Sequence, residues 1–233
     1  MKGFVEDPDF LLGTGTAVEL YHGWAERMPI VDYHCHIDPK DIWEDRHFED
    51  LSQVWLRGDH YKWRLMRSNG VPEEFITGER TGREKFQKFA EMLPRAIGNP
   101  MYHWCHLELK NFGYTGVLNG ETAQRVWDLC NEKLRSDPAM SVRGMICGSN
   151  VAMVGTTDDP CSDLAWHEKL SADGSFAPKV LPSFRPDPAV NLHKAGFADY
   201  LRKLEETVGR EISTVEDVRQ ALSVRIAFFD AHG

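Results

Sequence analysis

The fold is decided by the stretch IVDYHCH, residues 30–36. It follows Pro29, which ends a predicted short helix over residues 16–27, and it is rich in β-branched and aromatic residues, so it predicts a buried strand. Side chains alternate across a strand, which places His34 and His36 on one face and Cys35 on the other. Two imidazoles on one face at the end of a strand can hold a divalent metal ion.

The same pair of histidines has a simpler interpretation that involves no metal. Taken alone, an HxH pattern is more often a pair of polar histidines satisfied by hydrogen bonds at a strand end. The pair here lies between an apolar strand and the loop that begins at Asp38-Pro39. That position, where a strand opens into a loop, favours the metal.

Outward from this stretch, the chain changes character twice. Residues 39–149 predict a series of helices punctuated by Gly and Pro, with no clear strand. Residues 150–157 and 179–185 predict a second and a third strand, followed by helices near 162–171, 196–208 and 214–231, the last with a capping box at Ser213 and Glu216. Strands that alternate with helices indicate βαβ units and a parallel sheet.

The number of strands limits the architecture. A closed (β/α)8 barrel has eight strands and typically about 250 residues, whereas this chain of 233 residues shows three strands. The prediction is therefore an α/β chain that forms a partial TIM-like barrel, the first three strands, with a large helical insertion after strand 1. Its segments are 1–38 (arm, helix and first strand), 39–149 (insertion) and 150–233 (strands 2 and 3). A small open sheet is the alternative.

Composition excludes several classes of function. The formal net charge of −9 argues against nonspecific binding to nucleic acid or to anionic membranes. The five cysteines form no CxxC pair, which favours free thiols in a reducing compartment. No signal peptide or membrane span is indicated, so the prediction is a cytoplasmic protein.

A second group of candidate residues lies in the stretch DHYKWRLMR, residues 59–67. A tyrosine such as Tyr61 can donate a proton, and an arginine can clamp a carboxylate with two hydrogen bonds. His60 stands beside Tyr61 and extends the polar group. An amphipathic helix with a packed apolar face and solvated cations explains the same pattern and is favoured by pattern alone.

Two further candidates follow the second and third strands. Arg185, in the stretch SFRPD, either binds an anion at the carboxyl end of its strand or pairs with Asp187 in a turn. The carboxylates of Asp158 and Asp159 either reach the same end of the sheet or form turns and caps, which is the favoured reading. The two histidines of the stretch YHWCH, residues 102–106, are interpreted as structural.

Together these segments resemble the uronate isomerases of the amidohydrolase superfamily. The resemblance is carried, in this order, by residues 31–37, 60–67, 70–72, 154–160 and 183–187. It implies a distorted (β/α)8 barrel with an added helical region, and the isomerisation of D-glucuronate to D-fructuronate and of D-galacturonate to D-tagaturonate.

The resemblance also implies roles for single residues. His34 and His36 correspond to the family's metal ligands, the metal being usually taken as zinc. His60 and Tyr61 correspond to its His-Tyr pair, and Arg185 to its third-strand arginine. The family's late strand-end Asp, a metal ligand and candidate base, has no counterpart in this chain. The expected partners are a small uronate, a further copy of the chain in a homo-oligomer, and the missing half of the barrel.

Two other functions compete with isomerisation. A metal-dependent hydrolase of the same superfamily shares the HxH strand but needs a fuller set of ligands to activate water. A noncatalytic helical interaction module with a barrel remnant predicts neither metal nor uronate binding.

Overall fold

A computed structural model describes residues 4–233 of the chain. They form two compact units. A helical unit contains the chain up to Met28 together with His47–Ser141, and a sheet unit contains Pro29–Arg46 and Val142–Gly233.

The described residues form three strands and twelve α-helices. The strands are β1 (Ile30–Asp32), β2 (Val151–Asp158) and β3 (Lys179–Phe184). The helices are α1 (Gly15–Gly23), α2 (Pro39–Trp43), α3 (Leu51–Trp55), α4 (His60–Ser68), α5 (Gly82–Met92), α6 (Pro100–Asn111), α7 (Ala123–Ser136), α8 (Val142–Gly148), α9 (Ala165–Ala172), α10 (Asp187–Val190), α11 (Phe197–Val208) and α12 (Val215–Asp230). None of these helices is long and apolar enough to cross a membrane.

The division into units does not follow the predicted segments, because two helices of the predicted insertion belong to the sheet unit. Arg143 at the start of α8 explains this. Its backbone N–H donates to the Asp45 carboxylate at 2.9 Å, and its guanidinium donates to the Ile42 carbonyl at 2.7 Å and to the Asp173 carboxylate at 2.7 Å. One side chain thus ties α2 and α8 to the segment between α9 and β3.

Capping residues shift two predicted helix starts. Helix α1 begins after Thr14 and not at the predicted start at residue 16, because the Thr14 hydroxyl accepts the N–H of Ala17 at 3.1 Å. The capping box of α12 is formed by Thr214 and Asp217, one residue beyond the predicted pair. Both positions satisfy N–H groups that the first turn of a helix leaves without partners.

The helical unit is built around one apolar core. Helices α3, α5, α6 and α7 contribute side chains that are fully buried, among them Leu51, Phe86, Phe89 and Leu109. Each such side chain stabilises the fold by about 1.5–3 kcal/mol relative to its exposed state. The N–H of Leu51 donates to the side chain of Asn131 at 2.8 Å, which joins α3 to α7 through a buried polar contact.

His106 is a structural residue of this core, as the sequence predicted. Its Nε2 accepts the N–H of Leu118 at 2.9 Å, so its Nδ1 carries the proton and donates to the Tyr102 carbonyl at 2.6 Å. The ring is fully buried. Burial lowers the pKa of His106, because a charged ring would lose its solvation.

The sheet unit contains a parallel three-stranded sheet of order β1-β2-β3. Val31 pairs with Met153 and Asp32 with Val154. The last six residues of β2 pair with β3, from Met153–Lys179 to Asp158–Phe184. The central strand carries buried residues from Val154 to Thr156. The predicted parallel sheet is therefore present. Its first strand, predicted over residues 30–36, ends at Asp32, so His34 and His36 follow the strand instead of lying within it.

We predict that replacing His106 with glutamine changes the pH dependence of stability. The unfolded chain binds a proton on this histidine near a pH of about 6.5, whereas the folded chain does so only at lower pH. The free energy of unfolding therefore falls as the pH drops below that value. In urea titrations, the stability advantage of the unmodified chain over His106→Gln should shrink between about pH 7.5 and about pH 5.5. The same substitution at exposed His193 is the control, and an advantage that stays constant over this range contradicts the assignment.

Candidate active site

Parallel pairing brings the carboxyl ends of the three strands to one edge of the sheet. Asp32 ends β1, and Asp158 and Phe184 end β2 and β3 as paired residues. The candidate residues of the sheet unit follow these ends directly. Ligands bind at this edge in parallel α/β sheets, because the loops there can vary without disturbing the strands.

The histidine segment stays attached to the sheet although β1 ends at Asp32. The N–H of Cys35 donates to the Gly155 carbonyl at 2.8 Å, and the Thr157 hydroxyl donates to the Cys35 carbonyl at 3.1 Å. Cys35 is buried, while His34 and His36 are exposed. The alternation predicted from the sequence is therefore kept beyond the end of the regular strand.

The two imidazole rings come together on the exposed side. The ring centroids of His34 and His36 are 5.1 Å apart, and the ring planes lie 86° from each other. The pairing of Cys35 with β2 is what fixes this arrangement, because it sets the direction of the backbone on both sides.

Gly155 allows the segment to approach β2 this closely. A Cβ atom at this position would lie 2.6 Å from the Tyr33 carbonyl oxygen and 2.9 Å from its carbonyl carbon. These are backbone atoms, so a larger residue must push the whole segment away. The close contact explains why a glycine stands in the middle of this strand.

The donor set fits a divalent metal in part. Two neighbouring imidazoles provide two of the four ligands that zinc usually takes. Among residues 4–233, no group of three or more His, Cys, Asp or Glu side chains lies close enough to hold an ion. His34 and His36 can therefore form one side of a metal site, and the remaining ligands would come from outside the described residues.

Arg185 follows β3 at the same edge. Its backbone N–H donates to the Asp158 carbonyl at 3.0 Å, and its guanidinium is paired with the carboxylate of Asp187. The pairing is the structural alternative that the sequence left open. Both side chains are about half exposed, so the ion pair is worth only about 0–1 kcal/mol and can be exchanged for a bound anion.

The carboxylates after β2 differ in their surroundings. Asp159 accepts the N–H of Cys161 at 2.8 Å and forms the expected turn. Asp158 is buried instead, and its carboxylate accepts the Thr156 hydroxyl at 2.6 Å. The hydroxyl proton is used in that bond, so Nε2 of His167 donates to the Thr156 oxygen at 2.8 Å.

His167 is a buried residue near the candidate site that the sequence pattern did not single out. It lies on α9 with 2% of its side chain exposed, and its Nδ1 has no hydrogen-bond partner among the described residues. Burial lowers the pKa of His167, while the nearby Asp158 carboxylate opposes this. The predictive signal would have been its place four residues after the Asp163 turn, on the face of α9 that packs on the sheet.

In the helical unit, several residues of the stretch DHYKWRLMR stabilise the fold. Asp59 caps α4 through the N–H groups of Tyr61 and Lys62 and pairs with the Lys62 ammonium at 2.7 Å. Lys62 is buried, and Glu108 lies 3.9 Å from it. Burial lowers the pKa of Lys62, but these carboxylates outweigh that effect and hold it above its usual value.

The remaining residues of α4 divide between core and surface. Met66 is fully buried, and Trp63 donates its indole N–H to the Leu56 carbonyl at 2.6 Å. His60 packs edge-on against Trp63, with ring centroids 4.9 Å apart. Tyr61 is 67% exposed and points away from this core.

Fold and site together define an α/β protein with a candidate metal centre at the carboxyl edge of a parallel sheet. A family model described as glucuronate isomerase matches residues 1–233, so the chain belongs to the glucuronate isomerase family.

Individual relatives support this membership. The chain is 54% identical over 234 residues to the uronate isomerase of Lachnospira eligens, a match that covers 100% of this chain and 50% of that protein. The crystal structure of uronate isomerase from Thermotoga maritima matches with a TM-score of 0.88 and 38% identity, covering 97% of this chain and 49% of that one. Glucuronate isomerase from Caulobacter crescentus, at 23% identity and a TM-score of 0.84, shares the fold. The chain thus spans about half the length of the relatives it matches.

We predict that Gly155→Ala displaces the histidine segment. The added methyl group would overlap the Tyr33 carbonyl, and such overpacking costs about 1–3 kcal/mol. Urea unfolding should show this loss, and the imidazole NMR signals of His34 and His36 should shift. Gly148→Ala is the matched control, because a Cβ there meets open space. A Gly155→Ala variant as stable as the Gly148→Ala variant would show that the close approach is not required.

Proposed function

We propose that this chain supplies the first half of a uronate isomerase, in which its three strands begin a (β/α)8 barrel of the amidohydrolase superfamily. The whole enzyme would convert D-glucuronate to D-fructuronate and D-galacturonate to D-tagaturonate. The observation that carries the proposal is the pair of imidazoles at the carboxyl edge of the sheet, with ring centroids 5.1 Å apart. The chain that holds them matches the family model described as glucuronate isomerase.

An incomplete barrel accounts for the apolar surface of β1. Ile30 and Val31 are about half exposed, and Tyr33 is 79% exposed. Strands of parallel sheets are normally covered on both faces, and β1 has a neighbour only on the side of β2 among the described residues. In the proposal, the remaining strands of the barrel cover these side chains.

The working enzyme would be a cytoplasmic homo-oligomer.

The reaction sets clear chemical requirements. Aldose–ketose isomerisation removes the proton on the carbon next to the aldehyde and returns a proton to the adjacent carbon. The intermediate is a cis-enediol or enediolate, whose negative charge must be stabilised by positioned donors or cations. A divalent metal, taken as zinc, would polarise substrate oxygens when held by His34, His36 and ligands from the other half.

In this proposal, residues of this chain also transfer a proton and bind the substrate. Tyr61 would donate or shuttle a proton to the substrate, with His60 beside it positioning the sugar. Arg185 would bind a substrate oxygen or the carboxylate after releasing Asp187. The base that abstracts the proton would come from outside this chain.

The direct test is a chimera in which this chain replaces the matching half of the Lachnospira eligens protein. It should convert D-glucuronate to D-fructuronate and bind about one zinc ion per chain. His34→Ala and His36→Ala should each lower the zinc content and the rate, because each removes one of the ligands. A purified, folded chimera that leaves both uronates unchanged would overturn the proposal. Faster turnover of ester or amide substrates would favour the hydrolase instead.

A second prediction concerns Tyr61 in the same chimera. Tyr61→Phe removes only the hydroxyl, and loss of a general acid typically lowers kcat by about 10²–10⁴-fold. The KM should change little, because the aromatic ring stays in place. Undiminished kcat in Tyr61→Phe would remove this tyrosine from the mechanism.

A further inference from the structure

Asp187 carries a carboxylate whose one side-chain partner among residues 4–233 is the guanidinium of Arg185. The Arg185 Nε–H donates to the Oδ2 atom of Asp187. Asp187 is the first residue of helix α10, yet its side chain does not cap that helix. Within the described part of the chain, the carboxylate therefore serves this ion pair and no other structural contact.

The backbone around Arg185 is held without the help of the ion pair. The Arg185 N–H donates to the Asp158 carbonyl at 3.0 Å, and the preceding Phe184 is paired with Asp158 in the sheet. Pro186 and Pro188 restrict the turn that follows, because a proline ring fixes the backbone angle φ. Loss of the ion pair should therefore free the guanidinium and leave the strand end in place.

The partner of Arg185 is the same chemical group that a sugar acid carries. An aspartate side chain and a uronate both present a carboxylate to the N–H groups of a guanidinium. Asp187 occupies the Nε–H of Arg185, so a substrate carboxylate that uses this N–H must first displace it. Both side chains are about half exposed, which keeps the ion pair weak enough to exchange.

We propose that Asp187 is a competing carboxylate, which occupies Arg185 in the absence of substrate and thereby sets the affinity for the substrate. The inference rests on the proposed isomerase function and deepens it, because it names the residue that limits how tightly Arg185 holds the uronate. Asp187 acts through Arg185 and does not touch the substrate. A neutral sugar replaces the ion pair less well than an acid does, so the competition also favours acidic substrates.

Asp187→Asn in the chimera with the Lachnospira eligens protein tests the competition. The amide keeps the size of the side chain and removes its charge, so the substrate no longer displaces a carboxylate. KM for D-glucuronate should fall by about two- to fivefold, the range expected for a surface ion pair. kcat should change less, because the gain is present before and during the reaction. Asp187→Glu keeps a carboxylate and should keep the KM of the unmodified chimera.

A change of net charge is the alternative explanation, since the substrate is an anion. Asp199→Asn removes the same charge from another exposed ion pair of the sheet unit, the one with Arg202, and should leave KM unchanged. A double-mutant cycle then shows whether Asp187 acts through Arg185. In a chimera that already carries Arg185→Gln, adding Asp187→Asn should no longer lower KM.

The ion pair can also be observed on the chain itself. In proton–nitrogen NMR spectra, Asp187→Asn should shift the Arg185 Nε–H signal. The amide signals of Asp158 and Phe184 should stay in place, because the sheet holds both residues independently. D-glucuronate should then shift the Arg185 signal at a lower concentration in Asp187→Asn than in the unmodified chain.

The outcomes separate this inference from the proposed function. An active chimera in which Asp187→Asn leaves KM unchanged or raises it overturns the competition, and the isomerase function stands. The competition is also overturned if Asp199→Asn lowers KM as much, or if Asp187→Asn lowers it equally in the Arg185→Gln background. A folded but inactive chimera overturns the function, and the NMR titration then decides the inference. Equal midpoints in the two chains, or no shift of the Arg185 signal, overturn it.

Discussion

The structure depends on how closely the segment after β1 can approach β2. The backbone of Cys35 donates its N–H to the Gly155 carbonyl and accepts the Thr157 hydroxyl at its own carbonyl. The absence of a side chain at Gly155 makes room for the Tyr33 carbonyl. These few bonds extend the order of the sheet past the last regular pair at Asp32. They hold two exposed rings against each other in a segment that would otherwise be a free loop, and the candidate metal site follows from that constraint.

Helix α4 shows how one short motif can stabilise a fold and form a site. Its cap, its buried ammonium and its buried Met66 attach it firmly to the helical core. Because that attachment uses one side of the helix, Tyr61 on the other side is held on a rigid element while 67% exposed. A site built on a helix in this way is better positioned than one built on a loop.

The sequence predicted the parts of the fold that depend on local patterns. The β-branched and aromatic residues of 30–36 predicted the first strand, and residues 150–157 and 179–185 were predicted as the second and third. The alternation of strands with helices predicted their parallel order. The positions of helix caps were off by one or two residues, because neighbouring Ser and Thr residues compete for the same role. The membership of α2 and α8 in the sheet unit could not be predicted, since it depends on Arg143 and partners about 30 and 100 residues away in the chain.

For the site, the pairing of His34 with His36 followed from strand geometry, whereas the burial of His167 depends on tertiary contacts. The ligand role of the two histidines is the central claim, and a zinc titration followed by imidazole nitrogen NMR tests it most directly. Both residues should respond together, over the same range of zinc concentration, because they hold one ion. Responses at clearly different zinc concentrations, or a response from only one of the two, would contradict the account.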